Sequence, residues 1–139
     1  MTGYESFRRA LIVVGIFGAL AVALGALGAH ALRGQVELGV MSEKNLSGFE
    51  TAVRYHMYHA LAMFVVVLLR MHFQHPALKF AFRFFLIGIV FFSGSLYLIC
   101  TREMSGAEWT RALGPVTPVG GLFLVAGWLS LCIPAIIKR

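Results

Sequence analysis

The sequence predicts an all-α membrane protein, a bundle of four transmembrane helices. Three observations carry this. Of 139 residues, 59% are hydrophobic and 13% charged, against a charged share of roughly 25% in soluble globular domains. The apolar residues stand in long blocks, without the spacing by which a soluble amphipathic helix hides one face. The basic residues flank those blocks as topology signals do.

The first block, residues 10–29, contains twenty residues without a polar side chain. As a helix it rises about 30 Å, the thickness of the hydrocarbon core. The span is expected over about 8–31. Arg8 and Arg9 before it and Ala29-His30-Ala31 after it resemble the flanks of a signal peptide. An uncleaved span is favoured, since a signal sequence has an apolar core of only about 7–15 residues.

Residues 35–48 are polar and turn-rich and end in Ser47-Gly48-Phe49-Glu50, a capping-box pattern that predicts the start of a second span, about 49–70. Its first turns carry Glu50, Arg54, Tyr55, His56 and His59. Such side chains must face protein, headgroups or water rather than lipid tails. A third span is expected over 80–100, after a link whose His72 and His75 read as solvated. It is interrupted by Ser93-Gly94-Ser95, with Tyr97 following. The fourth is expected over 117–137, with Thr117 as its cap, Pro118 in the first turn, Pro134 tilting the last turn and Lys138-Arg139 at its exit. The whole chain, 1–139, reads as one membrane domain.

Four spans put both termini on one side, with seven of the twelve Lys and Arg residues: Arg8, Arg9, Arg70, Lys79, Arg83, Lys138 and Arg139. That bias predicts cytoplasmic termini, with the longer connections outside. The net charge of +6 serves topology and anionic headgroups. No continuous basic run or aromatic-interleaved patch indicates a nucleic-acid partner. Cys100 and Cys132 fall near opposite ends of their spans, too far apart for a disulfide.

Nine of the fifteen glycines lie inside the spans. Gly18, Gly25, Gly28, Gly94, Gly120, Gly121 and Gly127 are expected at helix contacts, where small residues let backbones approach. Ala21, Gly25 and Ala29 form a small-xxx-small row. Tight packing within the bundle is the first reading of these residues and an oligomer-forming face the second.

The candidate site is polar. His30 at the end of the first span, Tyr55, His56 and His59 on the second, Ser93 and Tyr97 on the third, and Thr117 on the fourth are expected to converge near the outer ends of the spans. Residues three or four apart share a helix face. His56 and His59 therefore form an H-x-x-H set that, with His30, is a weak candidate for a metal or haem. A structural hydrogen-bond network joining helices is the favoured reading. Glu50 and Arg54, one turn apart, are expected to form a surface ion pair. No strong metal motif, catalytic triad spacing or phosphate-cradling loop accompanies them, so neither an enzyme nor a cofactor is indicated.

The chain resembles the YgdD-like family of small multi-pass inner-membrane proteins, a domain-of-unknown-function family with animal relatives. The resemblance rests on Leu24-Gly25-Ala26-Leu27-Gly28-Ala29-His30, on Phe49-Glu50-Thr51-Ala52 leading to Tyr55-His56-Met57-Tyr58-His59-Ala60-Leu61-Ala62, on Phe92-Ser93-Gly94-Ser95-Leu96-Tyr97, and on Thr117-Pro118-Val119-Gly120-Gly121 with Gly127-Trp128. It implies a multi-pass membrane protein and brings no activity with it. Its motif positions include His30, Tyr55, His59, Ser93, Tyr97, Thr117 and Pro118. Glutamine also stands in the family at the places of Glu50 and His56, which implies no obligatory ligand role for His56.

Two functions are expected from these readings. The first is a non-enzymatic bundle, set in the lipid bilayer, that oligomerises or accompanies a membrane complex. The alternative is a small-molecule, metal or proton site at the outer face built on His30, His56, His59 and Tyr97.

Overall fold

The structure, a computed structural model, describes residues 3–136. Lys138-Arg139 and the end of the expected fourth span lie outside the described residues. Four helical stretches are long and apolar enough to cross a membrane, Tyr4–Glu37, Glu43–His72, Pro76–Cys100 and Val116–Pro134. Among the described residues there is no strand.

The first stretch is α1 (Gly3–Leu27), a π-helical turn (Gly28–Leu32) and α2 (Arg33–Glu37) in one unbroken run. It outlasts its apolar block because Arg33 Nη1 pairs with Glu43 Oε1 at 3.0 Å and its Nη2 lies 3.7 Å from Glu50 Oε1, fastening α2 to the next helix. The run stops at Gly39, whose φ of +73° suits a residue without Cβ.

The second span, α3, occupies Glu43–His72, so it begins before the Ser47 box expected to open it. Ser42 is the true cap: its Oγ accepts the Asn45 N–H at 3.3 Å, and Ser47 lies inside the helix. Cap and box share one residue chemistry, and Ser42 precedes a helical run that Ser47 merely continues. Of the link histidines, read as solvated, His72 is exposed and His75 is half-buried. His72 Nδ1 lies 3.3 Å from the Leu68 carbonyl, and His75 caps the third span by accepting the Ala77 N–H at 3.2 Å.

The third span is α4 (Pro76–Gly88), a second π-helical turn (Ile89–Ser93) and α5 (Gly94–Cys100). A short helix α6 (Arg102–Ser105) and a 3-10 turn (Glu108–Leu113) lead to the fourth span, α7 (Val116–Ile136), which runs through Pro134. Span one packs on span two, two on three, and three on four. The central spans therefore bury most, while spans one and four present lipid-facing rows such as Ile12, Ile16 and Val22, or Leu122, Val125 and Leu129.

Two apolar clusters hold the bundle. One joins Ala10 and Val14 to Met63, Val66, Phe85, Ile89 and Leu124, linking all four spans. The other, around Leu32, Met41, Leu46, Phe49 and Cys100, closes the opposite end. Glycine sets the approach of spans three and four. A Cβ on Gly120 would strike the backbone of Phe91 and Phe92, 2.7 Å from the Phe91 carbonyl carbon. One on Gly127 would come within 2.6 Å of the Phe85 ring. Gly25 and Gly28 likewise receive Val53 and Phe49 at 3.3 Å, whereas Gly121 meets only ordinary contact with Phe92. Gly18 and Gly94 depart from expectation, with nothing among the described residues within 4 Å of an added Cβ. Gly88 against Leu124 and Gly48 against the Cys100 sulfur are contacts the sequence did not single out.

Candidate functional site

Depth comes first. Ala10 lines the same groove as Val67, and Gly28 abuts Phe49, so the apolar block of span one runs beside residues 49–67 of α3. His56 and His59 fall near the middle of that stretch. The two histidines therefore lie beside the middle of the apolar block of span one, away from the span ends expected for them. The reason is α3 itself, which begins at Glu43 and holds its polar first turns outside the apolar layer.

There the two rings diverge. His56, buried, places Nδ1 3.2 Å from the Tyr97 hydroxyl, with its ring edge-on to Phe17 at 5.5 Å. Tyr97 reaches this depth because helical side chains lean toward their own N-terminus. Its ring packs on Phe49 at 4.9 Å on the way. His56 Nε2 is buried and has no hydrogen-bond partner among the described residues.

His59 turns toward span four instead. Its Nδ1 lies 2.7 Å from the Tyr55 carbonyl, and its Nε2 accepts Nε1–H of Trp128 at 3.1 Å. A carbonyl only accepts and an indole only donates. His59 is therefore the neutral tautomer with its proton on Nδ1. Tyr55 stacks on it at 5.9 Å, the shared face that their spacing predicts.

The remaining residues make separate bridges. Ser93 Oγ, fully buried in the π turn, donates to the Ala52 carbonyl at 2.9 Å. Toward the end of the third span, Ser95 Oγ donates to the Phe92 carbonyl at 3.1 Å, so the 2.7 Å contact with Thr117 is donated by the threonine. Thr117 thus ties α7 to α5 from inside its first turn, rather than capping α7. His30, exposed in the first π turn, joins none of these bonds.

The expected convergence is therefore a ladder of helix-to-helix bonds. Among the described residues no three His, Cys, Asp or Glu side chains gather as a metal would need. His30 stands apart, and the His59 lone pair is engaged by Trp128. The expected Glu50–Arg54 pair is replaced: Glu50 faces Arg33, and Arg54 Nη2 donates to Thr51 Oγ1 at 2.8 Å. Arg33, arriving from span one, takes the place of the within-helix partner.

Sequence reasoning passed over Trp128 and Arg33. Trp128 had a signal, because an indole N–H inside an apolar span needs an acceptor. Beside His59 lies an open groove of about 630 Å³ between spans two and four, bordered by Tyr55, Tyr58, Pro118 and Trp128.

Comparison with known proteins fits this membrane architecture. The family described as "Protein of unknown function (DUF423)" matches residues 24–121. The UPF0382 membrane protein YwdK of Bacillus subtilis (strain 168) is 37% identical over 130 residues, covering 92% of this chain and 97% of its own. A UPF0382 membrane protein of Haemophilus influenzae is 33% identical, covering 89% of this chain and 90% of its own. One of Schizosaccharomyces pombe is also 33% identical, covering 87% and 96%. No solved structure matches. With four spans, and with a family match that takes in the two bridges between the second and third spans and the Thr117–Ser95 bridge, the chain belongs to the DUF423 family of membrane proteins.

Proposed function

We propose that this protein is a non-enzymatic helical bundle that associates laterally in the cell (inner) membrane, with its own copies or with a larger membrane complex. The carrying observation is on span one. Ala21, Gly25 and Gly28 are spent against α3, whereas Gly15 and Gly18 have nothing among the described residues within 4 Å of an added Cβ. Those two glycines, with exposed Ala19 between the larger Ile12 and Val22, form a small-residue face on the lipid side. Glycine weakens a helix by about 1 kcal/mol relative to alanine, and small residues on a lipid-facing helix suit close packing against another helix. Engagement of both His59 nitrogens, Nδ1 within α3 and Nε2 by Trp128 of span four, supports a structural role for the polar ladder.

Subunit counting by single-molecule photobleaching in liposomes tests this. The wild type gives more than one bleaching step per particle, and Gly15→Leu with Gly18→Leu gives one. Single steps from the wild type, with no membrane protein recovered alongside it, sink the reading.

A second reading is favoured by one atom. His56 Nε2, buried without a partner among the described residues, suits a proton or small polar ligand held between spans one and three with Tyr97. Transport or binding that is lost in both His56→Phe and Tyr97→Phe, with the fold intact, supports it; unchanged behaviour in both removes it.

A further inference from the structure

At the basic end of the bundle, the start of span one and the link between spans two and three enclose a groove of about 810 Å³. That is within the range of small-molecule sites. Its floor is apolar: Phe7, Ala10 and Val67 line it, the last two buried. Its rim is cationic, with Arg70 and Lys79 and, among the described residues, no Asp or Glu side chain. Arg70 Nη2 donates to Ser6 Oγ at 3.3 Å, which holds the guanidinium across the mouth and leaves its other donors available.

We propose that this groove is a binding site for an anionic phospholipid, its phosphodiester held by Arg70 and Lys79 and one acyl chain lying along Phe7, Ala10 and Val67. The occupant follows from position and charge. The groove opens where the apolar block of span one ends, at headgroup level, so a lipid phosphate and chain reach it together. Guanidinium pairs with phosphate through parallel N–H donors, and lysine adds a point charge. Exposed Tyr4 and Phe73 beside the mouth match the aromatic belt of that layer. A free phosphate would leave the apolar floor uncovered, and a zwitterionic lipid would bring its own cation toward Arg70.

Native mass spectrometry of the protein from nanodiscs holding equal phosphatidylglycerol and phosphatidylcholine reads this directly. The wild type retains one phosphatidylglycerol in preference to phosphatidylcholine. Two basic contacts at about 1 kcal/mol each set the expected loss of that preference in Arg70→Gln with Lys79→Gln at roughly 30-fold. Arg70→Lys with Lys79→Arg keeps most of it, and Arg102→Gln with Arg111→Gln, at the other end, keeps all of it. Equal retention of both lipids by the wild type overturns the proposal. So does a preference that survives the double Gln variant while circular dichroism shows the fold intact, or displacement of the lipid by excess inorganic phosphate.

Discussion

Trp128 and His59 are joined by an indole N–H donated to Nε2 at 3.1 Å, across 69 positions of sequence, while the far side of the same imidazole is held by the Tyr55 carbonyl. Spans two and four thus meet through one ring with both nitrogens occupied. His59 is expected to show its proton on Nδ1 in nitrogen-15 spectra of histidine-labelled protein; a proton on Nε2 contradicts the bond. In a double-mutant cycle, His59→Ala and Trp128→Phe should couple by about 0.6 kcal/mol and by no more than about 1.7 kcal/mol, the range for polar contacts between membrane helices. Zero coupling says that the two side chains are merely neighbours.

Tyr97 supplies the hydrogen-bond partner of His56. Tyr97→Phe leaves a buried imidazole without a hydrogen bond and is expected to cost about 1–3 kcal/mol. Replacing both groups, His56→Leu with Tyr97→Phe, should recover much of that loss, because no polar atom then lacks a partner. Chemical denaturation in mild detergent reads the order, and a double variant weaker than Tyr97→Phe alone refutes it.

Glycines separate into those that carry a crossing and those that do not. Gly120→Ala forces Cβ into the Phe91–Phe92 backbone and is expected to lower stability by about 1–3 kcal/mol. Gly94→Ala meets open space and should be neutral or stabilising by up to about 1 kcal/mol. Equal thermal shifts in the two variants would mean that spans three and four do not cross at Gly120.

At the end of the bundle away from the chain termini, Glu103 accepts the Ser42 backbone N–H at 2.9 Å. That bond, with a smaller contribution from the Asn45 side chain, holds its carboxyl below the usual carboxylate range. A lowered folded-state pKa means that the link is at full strength above the ordinary carboxylate range and is lost as pH falls through the lowered value. Protection of the Ser42 amide, its hydrogen exchange corrected for the intrinsic pH dependence, should therefore be held at neutral pH and fall only in acid. Glu103→Gln should flatten that dependence; an unchanged acid response assigns it to another group.

The four spans were legible because each carries its own apolar block, and that signal is local. Shared faces were legible too: Tyr55 and His59 stack as four-residue spacing requires, and Ser93 and Tyr97 both turn to α3. Depth and partner choice were not. His56 and His59 are three apart, yet one turns to Phe17 and Tyr97 and the other to Trp128. No periodicity in α3 says which neighbouring helix lies on which side. The Glu50–Arg54 expectation failed for the same reason, since Arg33 arrives from a different span through a π turn that sequence does not mark. Gly18 and Gly120 look alike as letters and differ only in what the fold brings against them.

Native mass spectrometry of the protein released from membrane tests lateral association most directly, because it reads subunit number and any bound metal or haem together. The account predicts a discrete oligomer, or a complex with a defined second protein, without stoichiometric metal or haem; Gly15→Leu with Gly18→Leu then releases monomer. A wild-type monomer with no partner, or a stoichiometric metal or haem mass that disappears in His59→Ala, would contradict it.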